Sequence, residues 1–274
     1  WLWRNLSGLR PSSPGEILLT DLIARAATQD MVIESIGPEG LEETLGVNTR
    51  VQLAKAEAAL RRRIRERWML HGVTLVDPDS VYIDEGVELG QDTVVLPNTH
   101  INGDSRIGDK CQIGPNSMVS DSIIGAGCRI VASMIERSTL EAGVTVGPFS
   151  RVRAGTRLEQ GVYIGNFAEV KSSRLGQGTK SGHFSYIGDA DVGANVNVGA
   201  GTVTCNYDGQ TKHPTTIEDD VFIGSDSMLV APVTIGARST TGAGSVVTKD
   251  VPPDTVAAGV PARVLRNKSR PPRR

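Results

Sequence analysis

Residues 181–209 read SGHFSYIGDADVGANVNVGAGTVTCNYDG, a run of Ile-Gly and Val-Gly steps that also carries His183, Tyr186, Asn195, Asn197, Asn206 and Tyr207. Packing of small and β-branched residues needs none of these hydrogen-bonding side chains, so they mark a candidate site. His183 is the proton exchanger among them: a neutral imidazole with an ordinary pKa near ~6.5 can take a proton from an amine turning nucleophile. A lone histidine can equally be structural, and what singles this one out is its place among polar neighbours. Upstream, Arg153 and Lys171 are cations 18 residues apart. Zinc chemistry needs clustered ligands, and His71, His100, His183 and His213 show no such grouping. Neither GxxxxGK[ST] nor GxGxxG occurs, and the GAG at 199–201 and 242–244 is weak evidence for a nucleotide.

The elements that must position these residues follow from the aliphatic spacing. Ile83, Leu89, Val95, Ile101, Ile107, Ile113 and Val119 fall six apart, as do Val146, Val152, Leu158, Ile164 and Val170. Ile217, Ile223, Leu229, Ile235, Thr241 and Val247 form a third run, in which only Thr241 departs from an aliphatic. This hexapeptide repeat is the signature of a parallel β-helix, with one branched side chain per side pointing inward and small residues turning the corners. The clear interruptions in its second half are a five-residue step near Leu175 and an extrusion near residues 205–216. Such breaks are where function tends to sit.

Three sides make a coil, so residues 18 apart stack wherever the steps are strictly six. Arg153 and Lys171 then stand on adjacent coils of one face, about ~4.8 Å apart, each just after an inward aliphatic. A phosphate between them would satisfy both; the alternative is that both reach into solvent. Ser225 and Ala243 stack in the same way, as a shallow groove suited to a thin ligand such as a pantetheine arm or as ordinary turn residues.

Composition agrees with such a wall. Aromatic residues make up 4% of the 274 and Gly numbers 31, so an aliphatic column must replace aromatic packing. A net charge of −2 points to neither nucleic acid nor a membrane surface, and no apolar run approaches the ~20 residues of a membrane span. Cys111, Cys128 and Cys205 form no CxxC pair and suggest no disulfide framework, which fits a reducing cytoplasm. The chain opens at Trp1 rather than Met and reads as a piece of something longer. Residues 1–47 read as mixed α/β, with Ser13 and Pro14 ahead of a helix through Leu22, Ile23 and Ala26. Residues 48–71 predict a helix with Leu53, Ala56, Leu60, Ile64 and Trp68 on one stripe. Its cluster of Arg61, Arg62, Arg63, Arg65 and Arg67 reads as a solvated face, partly balanced by Glu57 and Glu66, or as a polyanion patch.

GPFSRVRAG, GNFAEVK, the 181–209 segment and VFIGSDSMLVAPVTIG closely resemble the acetyltransferase half of the bacterial bifunctional glucosamine-1-phosphate N-acetyltransferase / N-acetylglucosamine-1-phosphate uridylyltransferase family. GEILLTD and LGVNTRVQLAKAE are similar to the end of its uridylyltransferase domain and the start of its linker helix. The resemblance implies a mainly β fold, a left-handed parallel β-helix of hexapeptide repeats over 73–262. Before it come a linker α-helix (48–72) and a small α/β remnant of a nucleotidyltransferase-like domain (1–47), and after it a basic tail (263–274). Left-handedness would make it an exception to right-handed crossovers.

The implied reaction is acetyl transfer from acetyl-CoA to the amine of glucosamine-1-phosphate, in the cytoplasm, by a homotrimer with sites between subunits. By resemblance Arg153 and Lys171 hold the sugar phosphate, Tyr186 and Asn197 complete the amino-sugar site, and His183 is the general base. Ala200, Asn206, Tyr207, Ser225 and Ala243 line the acetyl-CoA site, Lys212 reaches an adjacent subunit, and Glu169 helps orient the site. Backbone N–H groups near the extruded loop would stabilise the oxyanion.

Two departures qualify this. The LAAGxGTRM loop and metal-binding Asp of the uridylyltransferase half are absent. Asn48 matches a family residue that contacts Mg2+ only in a full-length parent, so this chain by itself is expected to lack that second activity. Where some members carry a CoA-contacting Arg near the end, this chain has Val260, and Arg263, Arg266 or Lys268 would serve CoA's phosphates, unless the tail is merely solubilising. Acetylation of galactosamine-1-phosphate and a non-catalytic scaffold are the competing readings.

Overall fold

The computed structural model describes residues 1–11, 15–38 and 40–268. Ser13, Pro14 and the end of the basic tail lie outside them. Two compact units divide the chain, Trp1–Glu57 and Ala58–Arg274.

In the first unit, helix α1 spans Leu2–Leu6 and α2 spans Asp21–Ala27. Leu22 and Ala26, one turn apart, are the buried pair of α2, whereas Ile23 is exposed. Arg25 Nη1 reaches back to the Asn5 carbonyl at 3.1 Å. Among the described residues of this unit nothing more extended than a single bridge residue at Glu16 forms, so the mixed α/β character expected for 1–47 reduces to helices and turns. The physical reason is that a strand requires a neighbour to take its N–H and C=O groups. Val32, Ile33 and Ile36 are extended-prone residues left exposed without one.

Helix α3, Arg50–Leu70, fulfils the expected helix to within two residues at its start. A capping box opens it: Gln52 N–H donates to Thr49 Oγ1 at 3.2 Å, and Gln52 Oε1 accepts from the N–H groups of Asn48 and Thr49 at 2.8 and 2.9 Å. The expected apolar stripe does not run its full length, since Leu53 and Leu60 are exposed and only Ile64 is buried. Within the second unit the arginines do more than face solvent. Arg65 donates to the Pro78 carbonyl at 2.6 Å, Arg67 pairs with Glu85 at 2.6 Å, and Arg61 lies 4.3 Å above Tyr82, itself stacked on His100.

From Thr74 the second unit is a left-handed parallel β-helix of about 10 turns. A first sheet of 12 strands, a second of 10 and a third of 9 form its sides. The inward residues of all three runs are buried, with Ile101, Ile113, Leu158, Ile164, Ile223 and Leu229 less than 2% exposed, and each such Ile or Leu contributes roughly 1.5–3 kcal/mol by leaving water. Corners are turned by residues that tolerate the left-handed region, chiefly Asp and Asn such as Asn98, Asn116, Asp220 and Asp226. Buried hydroxyls inside the corners take up stray N–H groups, as when Ser122 Oγ accepts from Ser138 N and Ser150 Oγ from Ala168 N at 3.1 and 3.0 Å.

The coil is more irregular than six-residue counting suggests. Strand pairing shows five-residue steps from Val119 to Ile124, Ile130 to Ile135, Ile135 to Leu140 and Ile187 to Val192, besides the one at Leu175. Ser181 occupies an inward position, fully buried, and bonds Ser185 Oγ at 2.6 Å. A 17-residue coil also stacks two cysteines that look unrelated in sequence. Gln112 pairs with Arg129, so Cys111 and Cys128 sit one above the other as free thiols. Each thiol acts on the other, which lowers the Cys111 pKa and raises that of Cys128.

Candidate functional site

The outer face of the second sheet carries the cations. Arg151 pairs with Glu169 and Val152 with Val170, so Arg153 stands beside Lys171 as the 18-residue spacing required. Arg153 is not an unbalanced charge, however: its Nη1 donates to Glu169 Oε1 at 2.7 Å. On the same coil Arg151 forks onto Glu136 of the coil before at 2.7 and 3.2 Å, holding that carboxyl below the ordinary range. Glu136, Arg137, Arg151, Arg153, Lys171 and Ser172 line a cavity of about 280 Å³. A larger cleft, about 370 Å³ between Asp121, Arg137 and Arg157, includes none of the residues singled out for chemistry.

On the following coil Tyr186 lies beside Glu169 and Gly188 beside Lys171. Gly188 allows a close approach: a Cβ there would sit 2.5 Å from the Tyr186 hydroxyl and 2.8 Å from Asn206 Nδ2. The extrusion begins at Asn206, which is buried, and its amide donates to Asp189 Oδ2 and, at 3.5 Å, to Tyr186. A bridge between Tyr207 and Lys212 closes the loop. Asp208 braces it by accepting from the N–H groups of Thr211 and Gln210 and from His213 Nε2, contacts that hold its carboxyl well below the usual range. Lys212 was expected to reach another subunit; within one chain it comes to Lys171. The two amines act on each other, the neighbour lowering the Lys171 pKa and raising that of Lys212.

His183 ends strand Lys180–His183 of the first sheet, directly beside Asn166, whose Oδ1 lies 3.1 Å from the imidazole Nδ1. The same sheet carries Asn197, paired with Lys180 on one side and Phe222 on the other. Ile223 pairs with Val198 and Thr241, so Ala200, Ser225 and Ala243 follow at matching places on three successive coils. Asn195 belongs elsewhere: it is a corner residue with φ 55°, bonded to Asp220.

The chain therefore sorts its candidates into two groups. Arg153, Lys171, Tyr186, Asn206 and Lys212 gather on or beside the second sheet, while Asn197, Ala200, Ser225 and Ala243 lie on the first, with His183 at the end of a first-sheet strand. Exposed aromatics mark the corner between the two sheets, where the Phe149 and Phe167 rings stack 5.4 Å apart and Phe184 follows His183.

Asn48 offers only its backbone N–H to Gln52, and among the described residues no three His, Cys, Asp or Glu side chains converge to hold a metal. At the end, strands Thr255–Gly259 and Ala262–Asn267 form a hairpin on the first sheet. Lys268 bonds the Arg238 carbonyl, and Arg263 the carbonyl of Ala262. Sequence reasoning missed Asn166, Gly188 and Asp189. A coil of 17 residues rather than 18 separates Asn166 from His183, and that count was the one available signal.

The fold and its repeated wall define a hexapeptide-repeat protein, and the family described as bacterial transferase hexapeptide (six repeats) matches residues 86–121 and 214–249. Over 90% of its length the chain is 48% identical to a protein of Syntrophomonas wolfei named Bifunctional protein GlmU, covering 55% of it. A protein of the same name from Pelobacter propionicus is 47% identical over 97% of the chain, which covers 58% of that relative. The chain is a homologue of the bifunctional GlmU proteins, and it spans little more than half the length of these curated relatives. Among solved structures, a UDP-N-acetylglucosamine acyltransferase of Francisella novicida overlaps 71% of this chain and 70% of its own, at 14% identity and a TM-score of 0.45.

Proposed function

We propose that this chain transfers the acetyl group of acetyl-CoA to the amine of glucosamine-1-phosphate, giving N-acetylglucosamine-1-phosphate for UDP-N-acetylglucosamine synthesis. The observation that carries the reading is the meeting of Arg153, Lys171 and Lys212 beside Tyr186, on a wall whose next corner presents His183. A phosphate dianion supplies the negative charge that two adjacent ammonium groups lack, and Glu169 fixes the guanidinium fork beside them.

His183 has the orientation of a base. With Asn166 Oδ1 accepting, Nδ1 carries the imidazole proton and Nε2 presents its lone pair. As the sugar amine attacks the thioester carbonyl, Nε2 takes the proton released from nitrogen. The C–N bond forms, the C–S bond breaks, and the proton passes to the departing thiolate. The small residues of the first sheet, Ala200, Ser225 and Ala243, leave room for the pantetheine arm, with Asn206 and Tyr207 at its end. Each substrate's residues are divided between the two sheets, with Asn197 of the sugar set on the first and Asn206 of the acetyl-CoA set beside the second, and a homotrimer that sets the first sheet of one copy against the second sheet of another completes both sets. The exposed phenylalanines at the corner fit burial there.

In the same reading residues 1–47 are the end of a nucleotidyltransferase-like domain, 48–72 a linker helix, 73–262 the acetyltransferase domain and 263–274 a basic tail. A longer cytoplasmic parent would add the UTP- and magnesium-dependent step, with Asn48 at its metal. The test is thiol release from acetyl-CoA with glucosamine-1-phosphate, galactosamine-1-phosphate or glucosamine as acceptor. Release that needs the phosphate and prefers the first acceptor is expected. His183→Ala should fold normally and lose about 10²–10⁴-fold in turnover; near-wild-type turnover overturns the assignment of the base.

A further inference from the structure

Asp189 has no part in the reaction just described, yet it touches or faces the groups that close the phosphate end of the site. It follows Gly188 at a corner, with φ 50°. Its N–H donates to the Lys171 carbonyl at 3.0 Å, and its own carbonyl accepts from Thr215, where the chain returns from the extruded loop, at 3.1 Å. Its carboxylate accepts from the amide of Asn206, where that loop leaves. Asn206 is only 7% exposed, so water cannot orient its amide; Asp189 on one side and Tyr186 on the other do.

The charge balance points the same way. Lys171 is faced by Arg153 and Glu169 of its own sheet, by Tyr186 and Asp189 of the next coil, and by Lys212 of the loop. Glu169 is committed to Arg153, and Glu136 to Arg151. Asp189 is the carboxylate whose field favours the charged form of both lysines, against the repulsion between them.

We propose that Asp189 is the positioning residue of the phosphate clamp: one carboxylate fixes the Asn206 amide and stands as the counter-charge that lets Lys171 and Lys212 wait side by side for a phosphate. This rests on the acetyl-transfer reading for the substrate, though not for the charge balance. Asp189→Asn keeps an oxygen for the Asn206 amide and removes the charge. In a protein with reductively ¹³C-methylated lysines, assigned through Lys171→Arg and Lys212→Arg, the Lys171 resonance of the Asn variant should titrate at lower pH than in the wild type.

In steady-state kinetics kcat/KM for glucosamine-1-phosphate should fall about three- to fivefold more at about pH 9 than at about pH 6.5, the range of an exposed charge pair. Asp189→Glu should restore the alkaline limb, and KM for acetyl-CoA should show no such pH-dependent loss. A Lys171 titration unchanged in Asp189→Asn, or a kinetic loss equal at both pH values, overturns the proposal. If the wild type transfers no acetyl group, the reaction reading falls while the lysine titration still decides the role of Asp189.

Discussion

Gly188→Ala separates the site from the fold with a single methyl group. The backbone at Gly188 is in a region any residue adopts, so the substitution carries no conformational strain and removes unfolded-state freedom worth about 0.4–1 kcal/mol. The added Cβ meets the Tyr186 hydroxyl at 2.5 Å and Asn206 Nδ2 at 2.8 Å, against a comfortable separation of roughly 3.5 Å. Tyr186 must therefore retreat by about 1 Å, and a misplacement of that size can cost about 10²-fold in rate. Both crowding atoms are the ends of side chains, so yielding costs about 1–3 kcal/mol, partly offset by the entropy gain. At roughly 2–4 °C per kcal/mol for a chain of this size, the Tm should fall by less than about 10 °C. Circular dichroism on heating gives the Tm, and thiol release with each substrate varied gives kcat/KM, expected to drop about 10–100-fold. Kinetics within about twofold of wild type would mean that Tyr186 and Asn206 are not in the site, because the methyl group cannot be placed without moving them.

The core and the clamp each allow a further test. Ile164→Ala, at a fully buried position between Val146 and Ser181, should destabilise the second unit by about 2–5 kcal/mol in urea unfolding; a loss under about 1 kcal/mol would mean that the column is not tightly packed. Arg153→Ala should raise KM for glucosamine-1-phosphate about tenfold more than KM for acetyl-CoA, as loss of a charged phosphate ligand requires. Equal effects on both substrates would count against the clamp.

Legibility in the sequence followed the physics of the wall. Inward positions admit one branched side chain per side, so the six-residue runs announced the solenoid, and strict spacing between Val152 and Val170 was enough to set Arg153 beside Lys171. Where the inward residue is Ser181, or the step is five, the count slips, and Asn166, Asp189 and the stacked cysteines disappear from view. Glu169 was visible only by resemblance, because outward positions obey no packing rule that would mark a carboxylate as a partner. In the first unit the mixed α/β reading of 1–47 had no register to rest on, because strand formation depends on neighbours that local propensity does not supply, and Val32, Ile33 and Ile36 stay exposed.

The same physics accounts for the polar side chains crowded into 181–209. A β-helix wall holds its outward positions at fixed intervals of about 4.8 Å, so charges substituted on successive coils are delivered at separations suited to one small anion. The rigidity comes from the aliphatic column beneath Arg153 and Lys171, formed by Val152 and Val170. Beyond them the core itself turns polar, with Ser181 and Thr204 inward and Asn206 buried at the root of the loop. Those coils give up apolar burial, and what they gain is a set of hydrogen-bonding groups that tie the root of the loop to the wall. Asn206 is satisfied by Asp189, and Thr204 Oγ1 accepts from Gly188 N at 2.8 Å. The loop is thereby tied to the same two residues that lie beneath Tyr186 and beside Lys171, which is how an extrusion from a rigid solenoid can hold Lys212 in register with a clamp on its wall.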